Sequence, residues 1–156
     1  MEIVYIETSI VSHLVANPAR DLMVAGHQQA TRDWWQYRQG LFQCVTSDET
    51  LAESARGNAE QARLRLGVLA GMPALPITRE AENLAVDFLA TGALPAAARS
   101  DAVHLAVATL AQADYLLTWN CRHLANAQVL RRLAREADRS GWKLPTVCTP
   151  LELMGD

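Results

Sequence analysis

Ser100-Asp101-Ala102-Val103-His104-Leu105-Ala106-Val107-Ala108 reads as a helix that is apolar on nearly every side, with a carboxylate at its start. A surface helix carries a single apolar stripe, so a helix like this one belongs in a protein core. An unpaired charge is costly there. Asp101 therefore either serves the helix N-terminus beside Ser100 or holds a cation. Working outward, the helix is expected to span roughly Ala98 to Gln112. It leads into a strand, Tyr115-Leu116-Leu117-Thr118, and a loop, Trp119-Asn120-Cys121-Arg122-His123.

The same alternation runs through the rest of the chain. Ile3-Val4-Tyr5-Ile6 is a β-branched and aromatic run, hence a buried strand. Glu7-Thr8-Ser9 turns into a short helix through Leu14, and a longer helix is expected from Asp21 to Gln39, stopped by Gly40. Leu41 to Thr46 reads as a second strand. Thr46 and Glu49 have capping-box spacing at the start of a helix reaching about Arg56. Further helices are expected over Ala59–Ala70, Arg79–Ala90 and Ala127–Ser140, with strands at Ala74–Ile77 and Thr146–Cys148. Strands alternating with helices predict an α/β fold. We expect a three-layer α/β/α sandwich around a mostly parallel sheet of four to five strands, as one domain over residues 1–156.

At 156 residues the chain can bury a sizeable core, and its net charge of −3 argues against a passive nucleic-acid binder. An acidic cleft neutralised by bound cations remains compatible with that charge. Cys44, Cys121 and Cys148 are widely spaced, with no CxxC pair, as expected of reduced thiols. Cys44 and Cys148 lie in apolar strand-like runs and are assigned to the core. The chain opens Met-Glu-Ile-Val-Tyr without a signal-peptide pattern and has no membrane-length apolar run, so a soluble, cytoplasmic protein is expected.

Sites in open α/β sheets form beyond the carboxyl ends of the strands. Glu7 directly follows the first strand, and Asn120 lies just past the Tyr115–Thr118 strand. Glu53 is in the helix after the second strand, and Asp101 is at the start of the helix preceding the fourth. Taken singly, each has an ordinary use: a helix cap, an exposed helix position or a loop hydrogen bond. Their convergence on one rim is what singles them out. Clustered carboxylates without a His/Cys ligand set suit Mg²⁺ or Mn²⁺, and such ions favour phosphodiester hydrolysis. Glu49 is read as a capping residue and left outside the site.

Tyr5-Ile6-Glu7-Thr8-Ser9-Ile10, Glu53, Ser100-Asp101-Ala102-Val103-His104-Leu105-Ala106 and Leu116-Leu117-Thr118-Trp119-Asn120 occur in an order that resembles PIN-domain proteins. The chain looks like a VapC-type toxin ribonuclease of a type II toxin–antitoxin pair, over essentially its whole length. The resemblance implies a metal-dependent endoribonuclease with an RNA substrate, an antitoxin partner and a homodimeric state. By position it makes Glu7, Glu53 and Asp101 metal-binding carboxylates, with Asn120 where a fourth acid commonly stands. Thr8 or Ser9 would position a water or phosphate. The family usually has Asp where this chain has Glu7, and Asn120 lowers the charge of the site. One firmly held ion is therefore expected. The alternative is a catalytically degraded PIN-like domain that binds a protein or RNA. A phosphotransferase using Asp101 or Glu7 as nucleophile is poorer, because no Gly-rich phosphate loop is present.

Among the remaining residues, His104 is read as a core histidine three positions after Asp101. His123 and Arg122 in the loop are candidate substrate contacts. Arg131, Arg132, Arg135 and Arg139 form a basic helix face, either tracking RNA or paired with Glu136 and Asp138. Trp34 and Trp35 are adjacent, so one is expected to face away from the core as a protein–protein anchor.

Overall fold

β1 (Ile3–Ile6) sends its side chains alternately into two apolar clusters. Val4 and Ile6 join Ile10, Val11, Trp34 and Leu69, whereas Tyr5 joins Phe88, Leu105 and Leu116. Successive strand residues point to opposite faces, so a strand buried at consecutive positions must be covered on both. β4 (Tyr115–Leu117) repeats the pattern, with Leu117 in the first cluster and Leu116 in the second. A computed structural model, describing residues 1–155, pairs these two strands in parallel at the centre of the sheet, with Tyr5 opposite Leu116.

β2 (Gln43–Ser47), β3 (Ala74–Leu75) and β5 (Thr146–Cys148) complete five parallel strands in the order β3-β2-β1-β4-β5. Ile10 and Val11 of α1 (Thr8–Val15), Trp34 of α2 (Leu22–Tyr37) and Leu69 of α4 (Ala59–Leu69) cover one face. Phe88 of α5 (Arg79–Ala90), Leu105 of α6 (Arg99–Leu110) and Leu133 of α7 (Ala127–Arg139) cover the other. The short α3 (Asp48–Ser54) packs against both α1 and α6. The expected α/β/α sandwich is thus observed, with a sheet parallel throughout. α6 is buried continuously from Ala102 to Thr109, which is why its sequence lacks a polar stripe. Cys44 and Cys148 are buried and Cys121 is exposed, all as free thiols. Among the described residues, no helix is long and apolar enough to cross a membrane.

Several boundaries move, for identifiable reasons. Asp21 caps α2 through Val24 N–H, and a 3₁₀ turn at Gln39–Leu41 absorbs the start expected for the second strand. That strand runs on to Ser47 because the Thr46 hydroxyl donates to the Ile6 carbonyl at 3.0 Å. Thr46 is therefore no helix cap. Ser47 takes that role, accepting from Thr50 N–H at 3.4 Å. α3 stops at Ser54, before Gly57 turns the chain at φ +81° and Asn58 caps α4. β3 is reduced to two residues.

α6 closes with Ala113 N–H donating to the Ala108 carbonyl, and Gln112 at φ +55° occupies the left-handed position usually filled by glycine. Trp34 is fully buried, and although one of the two tryptophans was expected to face away, Trp35 does not. It packs half-buried against the same cluster, its ring 6.2 Å from that of Trp34, and the exposed aromatic is Tyr37.

Candidate active site

The carboxyl ends of β1, β2 and β4 open on one edge of the sheet, and α1 and α3 start there. Glu7 leaves β1 and caps α1, both oxygens accepting from Ser9 N–H at 3.1 and 2.9 Å. Its Oε2 also accepts from the Ser9 hydroxyl at 2.6 Å and the Thr118 hydroxyl at 3.0 Å. The residue is only 5 % exposed, so these donors replace water around a buried carboxylate. The capping use and the placement at the rim fall to the same side chain.

Glu53 projects from α3 and accepts at Oε1 from the Thr8 hydroxyl at 2.7 Å and from His104 Nε2 at 2.5 Å. Burial pushes its pKa up, but the hydrogen bonds and charge of His104, with the Thr8 hydroxyl, bring it below the ordinary value. His104 is a fully buried histidine, as expected, yet it reaches the site directly. Burial opposes its charge. Tyr5, Glu53 and Glu7 outweigh burial and hold its pKa well above 6.5. Its Nε2 hydrogen-bonds Glu53, and its Nδ1 lies within hydrogen-bond distance of the Tyr5 oxygen at 2.7 Å. The Tyr5 hydroxyl also shares a hydrogen bond with Ser47 Oγ at 2.5 Å.

Asp101 does not cap α6. Its Oδ1 accepts from Asn120 Nδ2 at 3.0 Å and its Oδ2 from His123 Nδ1 at 2.9 Å. Asn120 in turn accepts from His123 N–H at Oδ1, and its own N–H donates to the Thr118 hydroxyl at 3.0 Å. Thr118 therefore touches both Glu7 and Asn120, and Asn120 touches Asp101. Across the edge, Thr8 follows Glu7 and binds Glu53. Two hydrogen-bonded networks thus hold the four side chains singled out by the sequence, Glu7 with Asn120 and Asp101 in one and Glu53 in the other, and the two meet where Thr8 follows Glu7 in the chain.

Thr8 and Ser9 spend their hydroxyls on the carboxylates, where a contact to water or phosphate was expected. His123 is tied to Asp101, and Arg122 is exposed beside it. Glu49, set aside as a capping residue, instead accepts a short hydrogen bond from Ser100 next to Asp101. Its spacing to Glu53, one helical turn, puts both acids on one face of α3, which was the available signal. On α7, Arg132 donates to the Thr91 carbonyl and Arg139 pairs with Glu136 at 3.3 Å, so part of the basic face is engaged within the protein.

Glu7, Glu53 and Asp101 offer hard oxygen donors of the kind Mg²⁺ and Mn²⁺ take. Glu53 Oε2 accepts no hydrogen bond from the described residues. Among those residues, however, no group of three His, Cys, Asp or Glu side chains stands gathered as a ready-made metal centre. The donor chemistry fits such an ion, while the carboxylates are held by protein donors.

Strand order, two helical layers and an oxygen-rich carboxyl edge define the class, a PIN-like α/β/α sandwich. Among solved structures, the fold matches a chain of VapBC2 from Rickettsia felis, crystallised bound to a DNA fragment from their promoter. The TM-score is 0.62 at 14 % identity, covering 94 % of this chain and 98 % of that one. At that identity the likeness carries the fold. No family model and no curated protein matches the sequence.

Proposed function

We propose that this protein is a Mg²⁺- or Mn²⁺-dependent endoribonuclease, the toxin of a toxin–antitoxin pair. One observation carries the reading: Glu7, Glu53 and Asp101 come from three separate segments of the carboxyl edge, Glu7 linked to Asp101 through Thr118 and Asn120, and Glu53 held by Thr8, the residue after Glu7. The fold shared with a chain of VapBC2 supports it and favours an antitoxin as partner. RNA would be the substrate and a homodimer the working form.

Glu7, Glu53 and Asp101 would hold the ion, which when bound supplies an activated water and neutralises phosphate charge. The chain's own residues set the geometry. Ser9 and Thr118 hold Glu7, Thr8 and His104 hold Glu53, and Asn120 and His123 hold Asp101. Fixing each carboxylate beforehand lowers the reorganisation needed when substrate arrives. The test is cleavage of RNA by purified protein with and without Mn²⁺.

A second reading, a PIN-like binding module without catalysis, draws on the neutral Asn120 and on carboxylates already satisfied by protein donors. Calorimetric titration with Mn²⁺ separates the two. Saturable binding lost in Asp101→Asn supports the nuclease, and no binding supports the module.

A further inference from the structure

Three aromatic rings from three segments meet beside the carboxylates. The imidazole of His27, on α2, lies flat on the indole of Trp119, with centroids 4.0 Å apart and planes inclined by 12°. His13, on α1, lies 6.0 Å from the indole at 30° and 6.1 Å from His27. We propose that His27, backed by Trp119 and flanked by His13, is a stacking platform for one base of single-stranded RNA. The inference rests on the endoribonuclease reading and extends it to how substrate is held.

Position is the first argument. Ser9 gives its hydroxyl proton to Glu7 and accepts from the Trp119 backbone N–H at 2.8 Å, while its carbonyl accepts from His13 Nδ1 at 2.9 Å. A single residue therefore joins the rings to a candidate catalytic carboxylate. A base stacked on His27 would sit next to a phosphodiester at the acidic edge.

Rigidity is the second. Trp119 Nε1–H donates to Thr31 Oγ1 at 2.7 Å, and Thr31 donates to the His27 carbonyl at 2.6 Å. Because a carbonyl only accepts, His13 carries its proton on Nδ1, and its ring orientation is fixed. The indole is 8 % exposed, whereas both imidazoles are half-buried, so the outer aromatic surface belongs to the histidines. Burial, then the neighbouring His13, pushes the His27 pKa down against Asp21, which favours the uncharged ring.

Chemistry is the third. Unpaired RNA bases stack on aromatic side chains, histidine included, and the contact tolerates any sequence. A chain of net charge −3 draws little affinity from phosphates, so base contacts must supply more of it.

The test is fluorescence anisotropy in EDTA with a short labelled oligoribonucleotide. It is compared with versions in which each position in turn carries an abasic ribose. For the parent protein, one abasic position should weaken binding roughly 5- to 100-fold, the range for loss of one base–aromatic stack. His27→Ala should weaken the intact oligonucleotide by a similar factor and be insensitive to that abasic position. His27→Phe should bind as the parent does. A flat abasic scan in a parent that binds RNA overturns the platform while leaving the nuclease reading intact, as does parental affinity in His27→Ala. If the parent neither binds the RNA nor cuts it with Mn²⁺, the nuclease reading fails and the platform with it. Should His27→Ala not fold, the abasic scan on the parent decides alone.

Discussion

His104 Nε2 lies 2.5 Å from Glu53 Oε1, joining a fully buried imidazole to a carboxylate at the sheet edge. The pair links the core to the site, because the other face of the ring is tied through Tyr5 to the cap of α3.

This pair gives the stability a defined pH dependence. His104 has a raised pKa when folded, so its contribution is full below the ordinary 6.5 and is lost as pH rises through the raised value. Glu53 has a lowered one, so its contribution is full above the ordinary 4.5 and is lost as pH falls through the lowered value. Urea unfolding of the parent and of His104→Gln should differ most between those two ordinary values and converge on either side. A pH-independent difference would contradict the ion pair.

Tyr5→Phe should cost about 1–3 kcal/mol, because it leaves His104 Nδ1 without a partner in the core while Ser47 Oγ keeps only its bond from Thr50 N–H. Denaturant melts measure it. A loss below about 0.5 kcal/mol would show that the hydroxyl carries no net energy.

Asn120→Asp replaces a donor to Asp101 with a like charge. Without metal the variant should lose about 1–2 kcal/mol, since the hydrogen bond becomes a repulsion. With saturating Mn²⁺ its melting temperature should rise more than the parent's. An equal rise in both would place Asn120 outside any cation site.

Gln112→Gly should gain about 0.5–1 kcal/mol, because Gln112 stands at φ +55° at the end of α6, where glycine carries no Cβ penalty. Its melting temperature should rise with RNA cleavage unchanged.

Much of the fold was legible because burial leaves a pattern. Val4, Tyr5 and Ile6 could be apolar in succession only in a strand covered on both faces, and α6 could lack a polar stripe only inside a layer. Glu7, Glu53, Asp101 and Asn120 were legible from their places after strands and at helix starts. The wiring between them was not. Tyr5 read as a core aromatic, because nothing in the sequence reveals that its hydroxyl meets residues 42 and 99 positions away. Thr46 matched a capping box, but a competing bond to the Ile6 carbonyl in the adjacent strand decided its role. One of the adjacent tryptophans was expected to face away, yet the wide cluster around Trp34 accommodates both rings.

The most direct test is cleavage of RNA by the purified protein across a Mn²⁺ titration, alongside Asp101→Asn and Glu53→Gln. Metal-stimulated cleavage should appear in the parent and fall at least about 100-fold in both variants, as expected when a group acting on the transition state is removed. No metal-stimulated cleavage in the parent, or equal cleavage in both variants, would contradict a catalytic role for these carboxylates.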